Sequence, residues 1–390
     1  MARTASSQPE LTERDFSRGR LIVDFQARLA QAAPTVPLHP TWSDPGRLLQ
    51  YADYLSLFLF GLLNPVARTL NGLCAASRLA RVQKGVCSRP VSLGSFSEAQ
   101  AVLDPALLAQ VFTQLSQDLP APAAGPAGRR WLIQDGSLFD ALPRMYWALW
   151  RRQGKAQSQV RLHLSLDRAQ NAPARAAITP GKTCERAAWR TQWQRGDGYV
   201  GDRYYAEDYQ LFGELDKAGV AWVVRLRDEA VIHVEEELPL TPADRQAKVL
   251  RSAWVWLGCQ ARYRSIRLRV VWVQTDKEVL RLVPHLDPKE LSAGEVALLY
   301  KQRWQIELFF RWVKCILGCR HWLAESSQGV AIEIYLALIA ALLLQLYTGQ
   351  APTRRMMELI HFYLMGVADL DELEHGLERE RQRGARRKKS

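Results

Sequence analysis

Cysteine is scarce and scattered in this chain of 390 residues: Cys74, Cys87, Cys184, Cys259, Cys315 and Cys319. Thiols spaced this way exclude the disulfide framework of a small secreted domain and read as reduced cysteines of a cytosolic protein. Cys315, Cys319 and His321 lack a second ligand pair. No structural zinc is therefore expected, since such a site takes four closely spaced ligands. The opening segment MARTASSQPELTERD has no apolar core, so no signal peptide is expected. Long uninterrupted apolar runs are missing as well. Tyr51 to Leu63 falls short of the roughly 20 residues a bilayer needs. Val330 to Tyr347 comes closer but carries Glu333 and Gln345. It reads as a buried core helix, and no membrane is expected as a partner.

Negative charge is the other shortage. Asp and Glu number 40 against 52 Lys and Arg, which gives a net charge of +12 and a pI near 9.6. That balance suits a polyanionic partner, although many basic proteins bind no nucleic acid. Hydrophobic content of 48% is ordinary for a globular protein, and the length allows two or three domains.

Residues 1–118 read as mostly helical. Leu48 to Leu63 is strongly apolar, Asn64-Pro65 breaks it, and helical patterning resumes from Val66 to about Val82. Arg78, Arg81, Lys84 and Arg89 crowd the end of that second segment. They fit a phosphate-contacting module and equally a solvated helix end. A Pro/Ala/Gly linker over 119–129 marks a domain boundary. Strand patterns follow in Trp131 to Gln134, Val160 to Leu166, Gly198 to Asp202 and Ala221 to Leu226, with helical character between Asp208 and Ala218. Val160 to Leu166 alternates as a half-buried strand. Strands interleaved with helices predict an α/β domain over 130–227 and 286–350. Residues 228–285 are β-rich and carry Trp254, Trp256 and Trp272. Those indoles suit stacking on a displaced base, although alternating Trp in strands more often packs into the inside of a sheet. A helical region runs from about Ser292 to Tyr347. The segment 351–390 closes the chain, and its Arg/Lys-rich end from Glu378 is expected to be disordered.

One stretch carries chemistry. On a single helix, Tyr300, Arg303, Glu307, Arg311 and Lys314 would fall within roughly 80° of one another, and the rest of the circumference is apolar. A carboxylate among three cations and a phenol is completed by a phosphate and a divalent cation: the bases hold phosphate oxygens and the acid holds metal. An intrahelical salt-bridge ladder is the plainer alternative, because Glu307 lies four residues from both Arg303 and Arg311. Asp135 and Asp202 each follow a strand pattern, where acids are held rigidly at one sheet edge as a metal site requires. Each could instead cap a turn. Asp197 competes with Asp202 for the second position.

Tyr300, Arg303, Glu307 and Lys314 read as Y-x2-R-x3-E-x6-K, which resembles the signature of the insertion-sequence-four family of bacterial transposases. Asp135-Gly136-Ser137 and Asp202-Arg203-Tyr204-Tyr205 resemble the wording around that family's first two acids. The resemblance implies an RNase H-like catalytic domain with a β-rich insertion between the second and third acids, preceded by an α-helical DNA-binding domain. It implies that Asp135, Asp202 and Glu307 bind two Mg²⁺ or Mn²⁺ ions. It also implies that Tyr300, Arg303 and Lys314, with Arg225 assisting, grip double-stranded DNA at the element's ends, and Arg311, in the same charged stripe, is expected to join them. A homodimer acting in the bacterial cytoplasm on the nucleoid goes with it. Two rivals remain: a transposase-derived regulator without activity, and an RNase H-like nuclease without strand transfer.

Overall fold

The computed structural model describes residues 20–121, 123–141, 145–152, 155–258, 267–317 and 322–389. Two units emerge. One gathers Met1–Pro120, Phe139–Val160 and Arg311–Ser390, the other Ala121–Leu138 and Arg161–Phe310.

The first unit begins with α1 (Arg20–Ala32), α2 (Tyr51–Leu63), α3 (Leu70–Ala76), α4 (Ala80–Gly85), α5 (Leu93–Val102) and α6 (Ala106–Asp118). The break after α2 is made by Asn64, whose Oδ1 accepts from the N–H groups of Val66 and Ala67. Thr69 then caps α3 by accepting from Gly72 N at 3.0 Å. The segment expected as one helix from Val66 to Val82 is two, α3 and α4. Arg78, Arg81, Lys84 and Arg89 are all exposed around them. Tyr54, Phe58 and Phe96 make an edge-packed aromatic core, with Tyr54 and Phe96 ring centroids 4.8 Å apart.

Ten strands follow: β1 (Trp131–Asp140), β2 (Leu149–Arg152), β3 (Lys155–Asp167), β4 (Ala172–Pro180), β5 (Gly198–Gly201), β6 (Ala221–Arg225), β7 (Ile232–Glu237), β8 (Val249–Leu257), β9 (Arg267–Gln274) and β10 (Val279–Pro284). In the second unit they lie in the order β4-β3-β1-β5-β6-β10-β9-β8-β7. β1, β5 and β6 are mutually parallel, and β10, β9, β8 and β7 continue antiparallel. The run β4-β3-β1-β5-β6 is the strand order of an RNase H-like sheet. The β-rich stretch extends that same sheet, since Val224 of β6 pairs with Val283 of β10. Helices α7 (Glu185–Arg190), α8 (Gln210–Lys217), α9 (Pro242–Gln246) and α10 (Ala293–Lys301) belong to this unit, and α11 (Trp304–Leu317) begins in it.

β3 departs from the half-buried reading, because both of its faces are covered. Leu162, Leu164 and Leu166 are fully buried, and so are His163, Ser165 and Asp167. Each buried polar group has a partner: His163 meets Thr179 at 2.8 Å, Ser165 meets Gln134 and Gln192, and Asp167 holds Arg130 at 2.6 Å. Trp254, Trp256 and Trp272 are half-buried. Arg267 lies over Trp254 at 4.8 Å and Arg251 over Trp272 at 4.7 Å, and both arginines also pair with glutamates of β7.

The first unit resumes with α12 (Ser327–Thr348), α13 (Arg354–Leu364) and α14 (Leu370–Lys389). By length and composition α12 could cross a membrane, yet 83% of its apolar window is buried inside the protein. It packs against α1, α2, α5 and α6. Its Glu333 is fully buried, and burial holds that carboxyl well above the usual range. The basic end expected to be disordered is helical instead. α14 buries Leu373 and Leu377, and Arg381 Nε donates to Thr348 O at 2.8 Å, satisfying a carbonyl at the end of α12.

Candidate active site

The parallel register of β1 and β5 pairs Trp131 with Gly198, Leu132 with Tyr199 and Ile133 with Val200. Gly198 is dictated by its neighbour, since a Cβ there would lie 2.6 Å from the Trp131 ring. Trp131 to Gln134 are all buried, as is the whole of β5. Asp135 and Asp202 each lie two residues past the last register pair. Asp202 follows β5, as expected, but Asp135 does not follow its strand: it lies inside β1, which runs on to Asp140, so the two acids stand in step on neighbouring parallel strands.

Asp135 Oδ1 accepts from Gly136 N at 2.8 Å, and Asp202 Oδ1 accepts from Tyr204 N at 2.9 Å, closing a turn. The Asp135 carboxyl is pushed up to about 6, by burial first and the Asp202 charge second. Arg303 and the Gly136 N–H act in the opposite direction, and the Glu307 charge adds a smaller push upward. Glu307 occupies the first turn of α11, where the helix dipole favours a carboxylate. Arg303 spans two of the acids: Nη2 lies 2.5 Å from Glu307 Oε1, and Nη1 lies 3.7 Å from Asp135 Oδ2. Among the described residues no three His, Cys, Asp or Glu side chains are gathered as a ready-made metal cage. Asp135 feels the charges of the other two acids, and a guanidinium reaches between it and Glu307.

The signature does not lie on one helix. α10 ends at Lys301 and α11 begins at Trp304, with i→i+3 bonds from Gln302 N to Leu299 O and from Arg303 N to Tyr300 O tightening the junction. The helical-wheel stripe from Tyr300 to Lys314 is thus broken at Arg303. Arg168 Nη1 donates to Gln302 Oε1 at 2.7 Å and ties down that junction. Tyr300, on α10, is buried, and burial pushes its phenol up to about 12. Arg303 lies over its ring at 5.9 Å. The apolar surround is also incomplete, because Trp304 and Leu308 are exposed while Ile306, Phe309 and Phe310 are buried.

Arg225 closes β6 and is engaged by Glu278 through two bonds, of 3.0 and 2.7 Å. Asp197 is held by Arg175 at 2.6 Å. Arg311 and Lys314 belong to the first unit, where Arg311 is exposed and Lys314 Nζ lies 5.2 Å from the Phe139 ring. Cys319 and His321 fall outside the described residues, and Cys315 is exposed.

Sequence reasoning passed over one pair. Arg161 and Glu185 form an ion pair, each about 15% exposed, and a Cβ on Gly136 would lie 2.8 Å from Glu185 Cδ. The only hint was a cation in an otherwise apolar alternation, V-R-L-H-L, on β3.

An RNase H-like sheet with two acids in step on neighbouring parallel strands is a scaffold of enzymes that cut or join nucleic-acid strands. The chain belongs to the transposase DDE domain family, whose model matches residues 126–343. It is a DNA transposase, and its family cleaves and transfers DNA strands in dependence on divalent metal. One relative, the transposase y4zB of Sinorhizobium fredii, is 26% identical over 73% of this chain and 79% of its own length. The transposase for insertion sequence element IS5377 of Geobacillus stearothermophilus is 24% identical over 52% of each chain. The transposase for element IS4SA of Synechocystis is 37% identical over 21% of this chain and 26% of its own. Among solved structures, a piggyBac transposase synaptic complex with hairpin DNA gives a TM-score of 0.44 at 11% identity, covering 94% of this chain and 80% of that one.

Proposed function

We propose that Asp135, Asp202 and Glu307 are the metal-holding acids of this transposase, taking two Mg²⁺ or Mn²⁺ ions, and that the enzyme cuts and rejoins DNA at the ends of an insertion sequence. One observation carries the reading: the Asp135 carboxyl, half-buried on β1, feels the charges of both Asp202 and Glu307. The donor set fits, since these are hard carboxylate oxygens of the kind such ions take. Arg303 offsets only part of the cost of the charge on Asp135, whose carboxyl stays raised, and a divalent cation would neutralise the rest. When bound, such ions polarise phosphoryl oxygens and make water or a DNA 3′-hydroxyl a competent nucleophile.

The chain's own groups do the rest. Tyr300 and Arg303 orient the scissile phosphate beside the acids, and Arg225 assists from the end of β6. Lys314 is proposed as a further phosphate contact from the signature pattern alone, and Arg311 from the run of charged residues beside it in the sequence. The exposed cations around α3 and α4 serve an N-terminal DNA-binding domain. Two copies pair two element ends and act on nucleoid DNA in the bacterial cytoplasm.

An electrophoretic shift and a nicking assay on one end fragment test the assignment. Glu307→Gln removes a metal-holding charge and leaves the bases in place. It abolishes nicking and keeps binding within a few-fold. Nicking at the normal rate would remove Glu307 from the acid set.

A further inference from the structure

Arg303 does not wait in solvent for a phosphate. Its guanidinium already lies among the acids, 2.5 Å from Glu307 Oε1 and 3.7 Å from Asp135 Oδ2. A planar fork of N–H donors suits this bridging, which a point-charge ammonium would do less well. The residue sits in the junction between α10 and α11, outside either helix, so its side chain pivots from a short connection. The Tyr300 ring lies beneath the guanidinium, and 20% of the Arg303 side chain remains exposed. The side chain therefore has both a seat among the carboxylates and an open flank to leave by.

Carboxylates brought near one another repel, and a buried one without counter-charge is costly. A cation already in place offsets that cost while metal is absent. Yet a divalent cation such as Mg²⁺ needs the same carboxylates at about 2.0–2.1 Å, closer than a bridging guanidinium allows. The two cannot share the gap.

We propose that Arg303 is a stand-in cation: it bridges Asp135 and Glu307 in the metal-free enzyme, yields to the entering divalent ion, and is thereby released to a DNA phosphate. The inference rests on the reading of Asp135, Asp202 and Glu307 as metal-holding acids. It adds that metal entry and phosphate grip are coupled through one side chain. A site held closed by an internal competitor binds its ligand more weakly, by the fraction of time it stands open. Removing the competitor must therefore tighten metal binding, whereas a residue that only grips DNA would leave metal affinity alone.

The test is a Mn²⁺ titration of the full-length, DNA-free protein, followed by the electron paramagnetic resonance signal of unbound Mn²⁺. Arg303→Gln keeps a polar side chain without the charge, and its dissociation constant falls about tenfold below that of the unmodified enzyme. Arg303→Lys keeps charge without the fork and falls between the two. Asp135→Asn weakens Mn²⁺ binding at least tenfold. An Arg303→Gln protein that binds Mn²⁺ no tighter than the unmodified enzyme, while Asp135→Asn binds it more weakly, overturns the stand-in role and leaves the acid assignment standing. If Arg303→Gln fails to fold, Arg303→Lys decides, and equal or weaker binding there overturns the proposal. If Asp135→Asn and Glu307→Gln both bind Mn²⁺ normally, the acid assignment itself fails and the proposal goes with it.

Discussion

Asp135 and Asp202 stand in step, each two residues beyond the register pair Ile133 and Val200 on parallel strands β1 and β5. Their separation is therefore set by strand pairing and not by any bond between them. Trp131 and Gly198, the first pair of the same register, fix how closely the strands approach.

A methyl group at Gly198 should disturb that alignment from a distance. Its Cβ would sit 2.6 Å from the Trp131 ring, so the ring or the strand must shift. Gly198→Ala is expected to cost about 1–3 kcal/mol of stability. It should also lower cleavage by more than the loss of folded protein explains, although the residue touches no substrate. Thermal melts with nicking rates per folded molecule measure both. A fully active variant of ordinary stability would show that the register tolerates the shift.

Asp135 gives the metal-free protein a pH signature. Its carboxyl is raised from an ordinary 3.8 to about 6, chiefly by burial and then by Asp202. The folded state therefore holds this proton more tightly than the unfolded state does. Stability is lost as pH climbs from about 4 to 6, and the full cost persists above that. Asp135→Asn should remove this cost, raising stability at pH 7.5 by about 1–3 kcal/mol in the presence of a chelator, with no gain at pH 4. Melting curves at the two pH values decide. An equal effect at both would mean that the carboxylate's charge is not the source.

The parts legible in the sequence were those written in local pattern. Short apolar runs ending in an acid marked β5 and the first half of β1, alternation marked β3, and the β character of 228–285 marked the region of β7 to β10 without separating its strands. The chain's long-range pairings carried no such mark. That β10 joins β6, that Glu278 holds Arg225, and that Glu185 packs over Gly136 depend on residues far apart in sequence. The covered second face of β3 was hidden because His163, Ser165 and Asp167 are polar and look solvent-facing until their partners are known. The break at Gln302 and Arg303 was hidden for the opposite reason. Both residues are good helix formers, and i→i+3 bonding together with the Arg168 contact to Gln302, not propensity, accompanies the turn there.

The helical end of the chain separates two effects that a disordered tail would have merged. Arg381 donates to Thr348 O, and Glu380 pairs with Arg355 and Arg383, so the middle of α14 is docked within its unit. Arg381→Ala should cost about 0.5–1.5 kcal/mol of stability and leave the salt dependence of DNA binding nearly unchanged. Deleting residues 386–390 should do the reverse, lowering the salt slope with little loss of stability, because Lys/Arg contacts to phosphate act through counterion release. A melt and a salt titration of DNA affinity on both variants suffice. An unchanged slope after the deletion would remove the tail from the DNA interface.

Arg225 poses the last question, because the partner it has in the DNA-free protein competes with the partner proposed for it. Glu278, in the turn between β9 and β10, accepts two bonds from the guanidinium at 3.0 and 2.7 Å, and Asp228 stands at 3.5 Å. Glu278 itself is well exposed, so this pair is screened and cheap to part. If Arg225 grips a phosphate, it must leave Glu278, and the energy of that pair is subtracted from DNA binding. Glu278→Gln should then tighten binding to an end fragment by about two- to fivefold, since an exposed pair is worth up to about 1 kcal/mol. Arg225→Ala should weaken binding by about ten- to a hundredfold, as expected for one charge-assisted contact. Combining the two substitutions should erase the gain from Glu278→Gln, because there is then no guanidinium left to release. Should Glu278→Gln tighten binding equally with and without Arg225, the gain would come from removing a negative charge near DNA, and Arg225 would be a clamp between β6 and the β9–β10 turn.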